Sequence, residues 1–196
     1  MCAQKKSEKY IAILKTTHDL FWKYGIRRVS VEEICREAGV SKMTFYRFFP
    51  NKTELTKQVI NDLFDKIMED YGKLMKEEIP FEEKIRRQLI MKFEGTNEVS
   101  AELVKDIYGN LDNEVYKLWK LRADDMLKAV INDYHQAQKK GWIRKDIKPE
   151  FMLYIINKTT ETASDEKLQG MYPSMQSLIM EIANMFFYGI MPRTKQ

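Results

Sequence analysis

The chain has 196 residues, with 33 Lys plus Arg against 29 Asp plus Glu, a net charge of +4 and a 44% hydrophobic fraction. At about 150 residues per domain this is one or two domains with enough apolar content for a core, which excludes a disordered polyelectrolyte. Only 8 Gly and 5 Pro leave few residues for the tight turns of a many-stranded sheet, so an all-helical protein is expected.

The two cysteines, Cys2 and Cys35, cannot build a disulfide framework or a thiolate zinc cluster, as suits a reducing cytoplasm. No stretch reaches the roughly 18 to 20 apolar residues that span a bilayer. A cytoplasmic location with no membrane partner is therefore expected.

The first helical pattern, about Ser7 to Tyr24, places Tyr10, Leu14, Thr17 and Phe21 on one stripe and stops at Gly25. Ser30-Val31-Glu32-Glu33 is a capping box, opening a second helix from Val31 to about Ala38. Gly39-Val40-Ser41 then supplies a residue tolerant of positive φ, an apolar anchor and a new cap, and a third helix covers Lys42 to Phe48. After Pro50 a capped fourth helix carries Leu55, Val59, Leu63, Ile67 and Tyr71 at intervals of four and ends before Pro80 despite Gly72. Further helices are predicted over about Phe81 to Phe93, Val99 to Tyr108, Glu114 to Lys140, Glu150 to Thr162 and Ser174 to Tyr188.

Within residues 31–50, Ile34, Cys35, Ala38, Val40, Phe45 and Phe48 are apolar or small, with Gly39 at the turn. Two short crossing helices that share a core need that arrangement, which fits a helix-turn-helix and equally a structural helical hairpin. Charge separates the two. Residues 1–52 hold 11 bases and 5 acids, a net +6, whereas residues 53–196 hold 22 bases and 24 acids, a net −2. The positive field is concentrated on the unit that fits a groove, so double-stranded DNA is the expected partner.

The run from Tyr10 to Leu55, above all SVEEICREAGVSKMTFYRFFPNKTEL, resembles the N-terminal domain of the TetR family of bacterial regulators. The resemblance implies an N-terminal three-helix DNA-binding domain with a helix-turn-helix, followed by a helical C-terminal ligand-binding and dimerisation domain. It also implies a homodimer and effector-controlled operator binding; with the helix-turn-helix and its charge, a repressor is expected. The expected division is residues 1–52 for DNA binding, 53–79 for a long connecting helix and 80–196 for ligand binding and dimerisation.

Ser30 and Ser41 stand at helix N-termini, where they either cap the helix, face a phosphate, or do both. Lys42, Met43 and Thr44 open the recognition helix, the end that reaches base edges. Met43 departs from the small residue frequent there in the family, and either meets a thymine methyl or fills space. In similar proteins the tyrosine matching Tyr46 and its neighbour, here Arg47, contact backbone or base; the alternative is a partly buried Tyr46 and a solvated Arg47. Lys52 and Arg28 are expected on flanking phosphates.

The stretches EFMLYIIN from Glu150 and LIMEIANMFFY from Leu178 are apolar over more than one face. By resemblance they form the homodimer interface, with Phe151, Ile155, Leu178, Ile182 and Phe186 as candidate contacts; the alternative is an intramolecular core. Phe93, Tyr108, Trp119, Met126 and Tyr154 are candidates for a pocket that takes a small apolar or amphipathic effector, the alternative again being ordinary core. No cofactor and no enzymatic activity are expected. His18 and His135 lie on separate helices without metal-ligand spacing, and no phosphate-binding glycine loop or nucleophile elbow occurs. A DNA-bound adaptor that recruits another protein is the second reading of the same residues.

Overall fold

The computed structural model describes residues 7–109, 113–162 and 165–191. Every element among them is an α-helix: α1 (Glu8–Tyr24), α2 (Val31–Glu37), α3 (Lys42–Phe48), α4 (Lys52–Lys76), α5 (Phe81–Gly95), α6 (Ala101–Tyr108), α7 (Glu114–Lys139), α8 (Pro149–Thr162), α9 (Glu166–Gln169) and α10 (Met175–Ile190). Cys2 lies outside the described residues. Among the described residues no helix is long and apolar enough to cross a membrane.

Local chemistry sets the helix starts. The hydroxyls of Ser7, Ser30, Ser41, Ser100 and Ser174 each accept an amide from the first turn of the helix that follows, satisfying one of the donors that a helix start leaves without a partner. The single turn α9 was not expected. It is too short for a hydrophobic period and is held by Asp165, whose carboxylate accepts the amides of Lys167 and Leu168.

The chain divides into two compact units, residues 1–63 with 100–119, and residues 64–99 with 120–196. In the first, Ile13, Val29, Ile34, Phe45 and Leu55 are fully buried. The apolar face of α6 (Leu103, Val104 and Ile107) is buried in the same unit. Phe21, Ile60, Leu103, Ile107 and Trp119 surround a cavity of only about 10 Å³. The Ser100 amide adds a hydrogen bond to the Trp22 carbonyl at 2.9 Å. The expected division at residue 80 assigns α6 and the first residues of α7 to the C-terminal domain. They pack instead with the N-terminal helices, through contacts between residues about 80 apart that periodicity cannot register.

The second unit is built around Phe81, Ile85, Ile131, Tyr134, Ile143, Met152 and Ile190, with Phe186 and Phe187 packed against them. The loop after α7 is tied to the end of α10, the Arg144 amide donating to the Ile190 carbonyl at 3.1 Å. Gln138 of α7 spans the same loop by donating to the carbonyls of Arg144 and Ile147, each at 2.9 Å. Lys84, nearly buried, donates to the Met75 carbonyl at 2.6 Å and so serves the open end of α4.

On α5, Glu83 accepts from Arg86 at 2.6 Å and from Arg87 at 3.0 Å, and these guanidinium groups hold its carboxyl down at about 2 from an ordinary 4.5. Because the folded value is the lower one, this stabilisation is complete above the ordinary value and is lost as pH falls toward the folded one. Glu83→Gln should therefore melt slightly lower than the unaltered chain at neutral pH. Thermal melts across pH should show the difference shrinking below about 4.5 and vanishing near 2.

Candidate nucleic-acid interface

The turn between α2 and α3 is closed by two backbone hydrogen bonds, Val40 amide to Cys35 carbonyl at 2.9 Å and Gly39 amide to Arg36 carbonyl at 3.2 Å. This paired pattern needs a left-handed residue, and Gly39 has φ +64. Ser41 follows at once, its Oγ accepting the Thr44 amide at 3.1 Å. Ser30 does the same for Glu33 at 3.1 Å. Both serines thus act as caps.

With seven residues α3 cannot stand alone in water, so its orientation comes from what it buries. Phe45 is fully buried, packing at 5.9 Å from Phe49, while Phe48 and Phe49 lie 5.6 and 5.2 Å from the ring of Tyr10 on α1. The opposite face faces solvent. Met43 is 86% exposed and Tyr46 53%, the largest exposed apolar surface on the helix. Thr44 is half-buried beside them and Arg47 is exposed. Met43, Thr44, Tyr46 and Arg47 therefore share one outward face, as helix geometry requires once Phe45 points in.

The basic candidates are not equally available. Arg28 lies 4.3 Å from the Tyr24 ring centre and 3.8 Å from Glu33, with its side chain largely exposed. The Arg47 guanidinium lies 5.0 Å from the Phe48 ring centre and has no carboxylate partner among the described residues. Lys42 is ion-paired with Glu32 on α2. The hydrogen bond between them raises the ammonium of Lys42 and lowers the carboxyl of Glu32 from their ordinary values. Lys52 turns inward, its ammonium donating to the Val29 carbonyl at 2.5 Å and the Arg27 carbonyl at 3.4 Å. Burial lowers its pKa, opposed by the charge of Asp106. Sequence reasoning missed Glu32 and Asp106 because their partners sit on other elements.

The effector candidates do not come together as a set. Tyr108 and Trp119 meet in the first unit, where the Trp119 indole donates to the Tyr108 hydroxyl at 3.1 Å. Phe93 and Tyr154 are more than half exposed, and Met126 is half-buried. An open concavity of the second unit, about 350 Å³, is lined instead by Asp70, Lys73, Leu74, Glu77, Arg87, Ile90 and Met91. Among the dimer candidates, Phe151 is exposed and Ile155 half-buried, but Leu178 is buried at 3% within its own unit, and Ile182 and Phe186 are half-buried. Phe186 packs on the core about Tyr134. The exposed apolar side chains of α10 are Met185 at 69% and Tyr188 at 71%, so its outward face lies about one position from the one expected. The apolar content of α10 on all sides hid that register.

Two short capped helices at a glycine turn, a buried aromatic anchor and an outward reading face define a helix-turn-helix DNA-binding domain. Residues 13–59 match the model of "Bacterial regulatory proteins, tetR family". An HTH-type transcriptional regulator of Haemophilus influenzae is 28% identical over 168 residues, 84% of this chain and 86% of that protein. Among solved structures, the fatty acid degradation regulator FadR of Bacillus halodurans superposes with a TM-score of 0.74 at 17% identity, over 97% of this chain and 100% of that one. A transcriptional regulator of Saccharomonospora viridis, solved in complex with choline, gives 0.68 at 16% identity, over 93% and 97%. These two likenesses bear on the fold. Residues 13–59 thus form a helix-turn-helix domain of the tetR type, and the chain is a DNA-binding transcriptional regulator.

Glu32 places a carboxylate against the one lysine of the recognition helix. Glu32→Gln should raise affinity for duplex DNA several-fold at low salt by freeing Lys42 and removing a negative charge beside it. The logarithmic salt dependence should steepen toward one additional neutralised phosphate, a change of about 0.9 in slope. Unchanged affinity and slope would show that Lys42 stays off the DNA.

Proposed function

We propose that this regulator is a homodimeric repressor whose two α3 helices enter successive major grooves of a pseudo-palindromic operator, with half-sites about 34 to 36 Å apart, and that a small effector releases it. One observation carries the DNA arm of this reading: Met43, Thr44, Tyr46 and Arg47 share the solvent face of a helix locked by Phe45. On this docking Met43 and Thr44 meet base edges, while Tyr46, Arg47, Lys42 and Arg28 serve the backbone. Selection of duplexes from a random library, followed by titration across a salt series, tests it. A preferred site whose affinity falls steeply with salt is expected, and no preferred site would sink the proposal. Met43→Ala should relax the choice of A·T at one position of each half-site by several-fold and leave the salt slope unchanged, because it removes an apolar contact and no charge. An altered slope with an unaltered preference would reverse that assignment.

The dimer arm is supported by the outward faces of α8 and α10, where Phe151, Tyr154, Met185 and Tyr188 are all more than half exposed. Aromatic and methionine side chains standing free on helices that bury Met152 and Ile190 on their other side suit a self-complementary interface. Sedimentation should find a dimer for the unaltered chain and a monomer for the double variant Met185→Glu, Tyr188→Glu, with operator affinity lost in parallel. A variant that remains dimeric would move the interface elsewhere.

The effector arm draws support from the open concavity of about 350 Å³, whose apolar floor of Leu74, Ile90 and Met91 and charged rim suit a small amphipathic molecule. The choline complex of the Saccharomonospora viridis regulator shows such a molecule held on this fold. The adaptor reading has its own observation: the second unit is filled with side chains around Tyr134 while Phe93, Met185 and Tyr188 stand exposed. Operator release by a small-molecule library favours the repressor reading, and operator binding that only a protein partner alters favours the adaptor.

A further inference from the structure

The loop between α1 and α2, residues 25–30, carries Arg27, Arg28 and the cap Ser30, and its main chain is gripped from two sides. From the start of α4 the Lys52 ammonium donates to the carbonyls of Val29 at 2.5 Å and Arg27 at 3.4 Å. From α6 the Asp106 carboxylate accepts the Arg27 amide at 2.8 Å and pairs with the Arg27 guanidinium at 3.2 Å. Asp106 is nearly buried, its side chain 11% exposed. The Phe21 ring centre lies 6.0 Å from the Lys52 nitrogen, on the apolar side of the seat. Gly25 completes the geometry: it has φ +81, and a Cβ there would lie 2.8 Å from an Asp106 oxygen.

A lysine that swings out to a phosphate leaves its carbonyl acceptors behind. Here those acceptors belong to a loop whose peptide groups have no helix to satisfy them, so moving the ammonium away costs the loop its hydrogen bonds. The same loop sets where Arg28 and the first turn of α2 stand.

We propose that Lys52 is a positioning residue: with Asp106 it clamps the Arg27–Val29 main chain so that Arg28 and α2 are presented to the duplex, and it neutralises no phosphate itself. The inference rests on the chain's DNA-binding function and changes how one of its basic residues contributes.

Counterion release separates the two roles, because a lysine on a phosphate contributes about 0.9 to the slope of log affinity against log salt and a clamp contributes nothing. The experiment uses the full chain, the duplex that it selects from a random library, and a potassium chloride series. Lys52→Met should weaken binding about tenfold at every salt concentration with the slope unchanged. Lys52→Arg should be weakened comparably, since a planar fork does not fit a seat made for a point charge on two carbonyls, whereas an arginine on a phosphate keeps its affinity. Asp106→Asn, which keeps the shape of the clamp's other half, should show the same loss at constant slope. In the DNA-free protein, hydrogen exchange of the amides of residues 25–30 should quicken in all three variants.

A slope reduced by about 0.9 in Lys52→Met, full affinity in Lys52→Arg, or loop exchange unaffected by any substitution would each overturn the clamp. Should the unaltered chain select no duplex, the DNA-binding reading fails, while loop exchange still decides for or against the clamp.

Discussion

The burial of Phe45 is the constraint on which the reading face depends. A seven-residue helix gains too little from its own hydrogen bonds to persist in water. What holds α3 is the Ser41 cap at one end and a fully buried phenylalanine in the middle, set among Phe49 and the ring of Tyr10 beyond it. Successive residues on a helix are turned by about 100°, so once Phe45 points inward Met43, Thr44, Tyr46 and Arg47 have one face left to occupy. The chemistry offered to DNA follows from core packing, and a core change at Phe45 disturbs all four side chains together.

A second constraint joins that unit to helices remote in sequence. The loop after α1 lacks regular structure, yet the Arg27 amide, the Arg27 carbonyl and the Val29 carbonyl all have partners, supplied by Asp106 and Lys52. Those partners sit on α6 and α4, so the three-helix module is not closed by its own residues. The buried face of α6 explains why the unit draws in residues 100–119. The loop's position thus depends on that of α6, a dependence carried by a charge-assisted hydrogen bond as well as by apolar contact.

Helix positions were legible because their signals are local. Ser30 with Glu33, Ser41 with Thr44 and Ser100 with Leu103 place caps three residues from their donors, and α3 occupies the span read from sequence. The helix-turn-helix was legible once charge was added, since Gly39 and the spacing of Ile34, Cys35 and Phe45 fit a plain helical hairpin equally well and the net +6 of the first 52 residues separates the two. Legibility ended where partners are distant. Nothing near Lys42 in the chain pairs with it; its acid is ten residues earlier, across the turn. Lys52 looks like any exposed lysine at a helix start until the carbonyls of Arg27 and Val29 are seen beneath it. In α10 the difficulty was different. Apolar residues occur on every side, so periodicity could not tell buried Leu178 from exposed Met185 and Tyr188.

These pairings alter the meaning of the charge. The first 52 residues carry a net +6, but charge counted along a chain is not charge offered at a surface. Lys42 answers Glu32, Arg27 answers Asp106, Arg36 answers Glu37, and Lys52 is spent on the main chain. Each pairing keeps the overall field while withdrawing a point charge from easy contact, since a phosphate must first displace the partner. On the proposed docking, the side chains at the middle of α3 are then apolar or hydroxylic, with Arg47 on the same face as a cation that has no carboxylate partner among the described residues. A surface of that kind draws its attraction to DNA from the diffuse field and its choice of sequence from Met43 and Thr44, groups that favour thymine methyl and base edges over phosphate. On that docking affinity and selectivity are lodged in different side chains, which lets one be changed without the other.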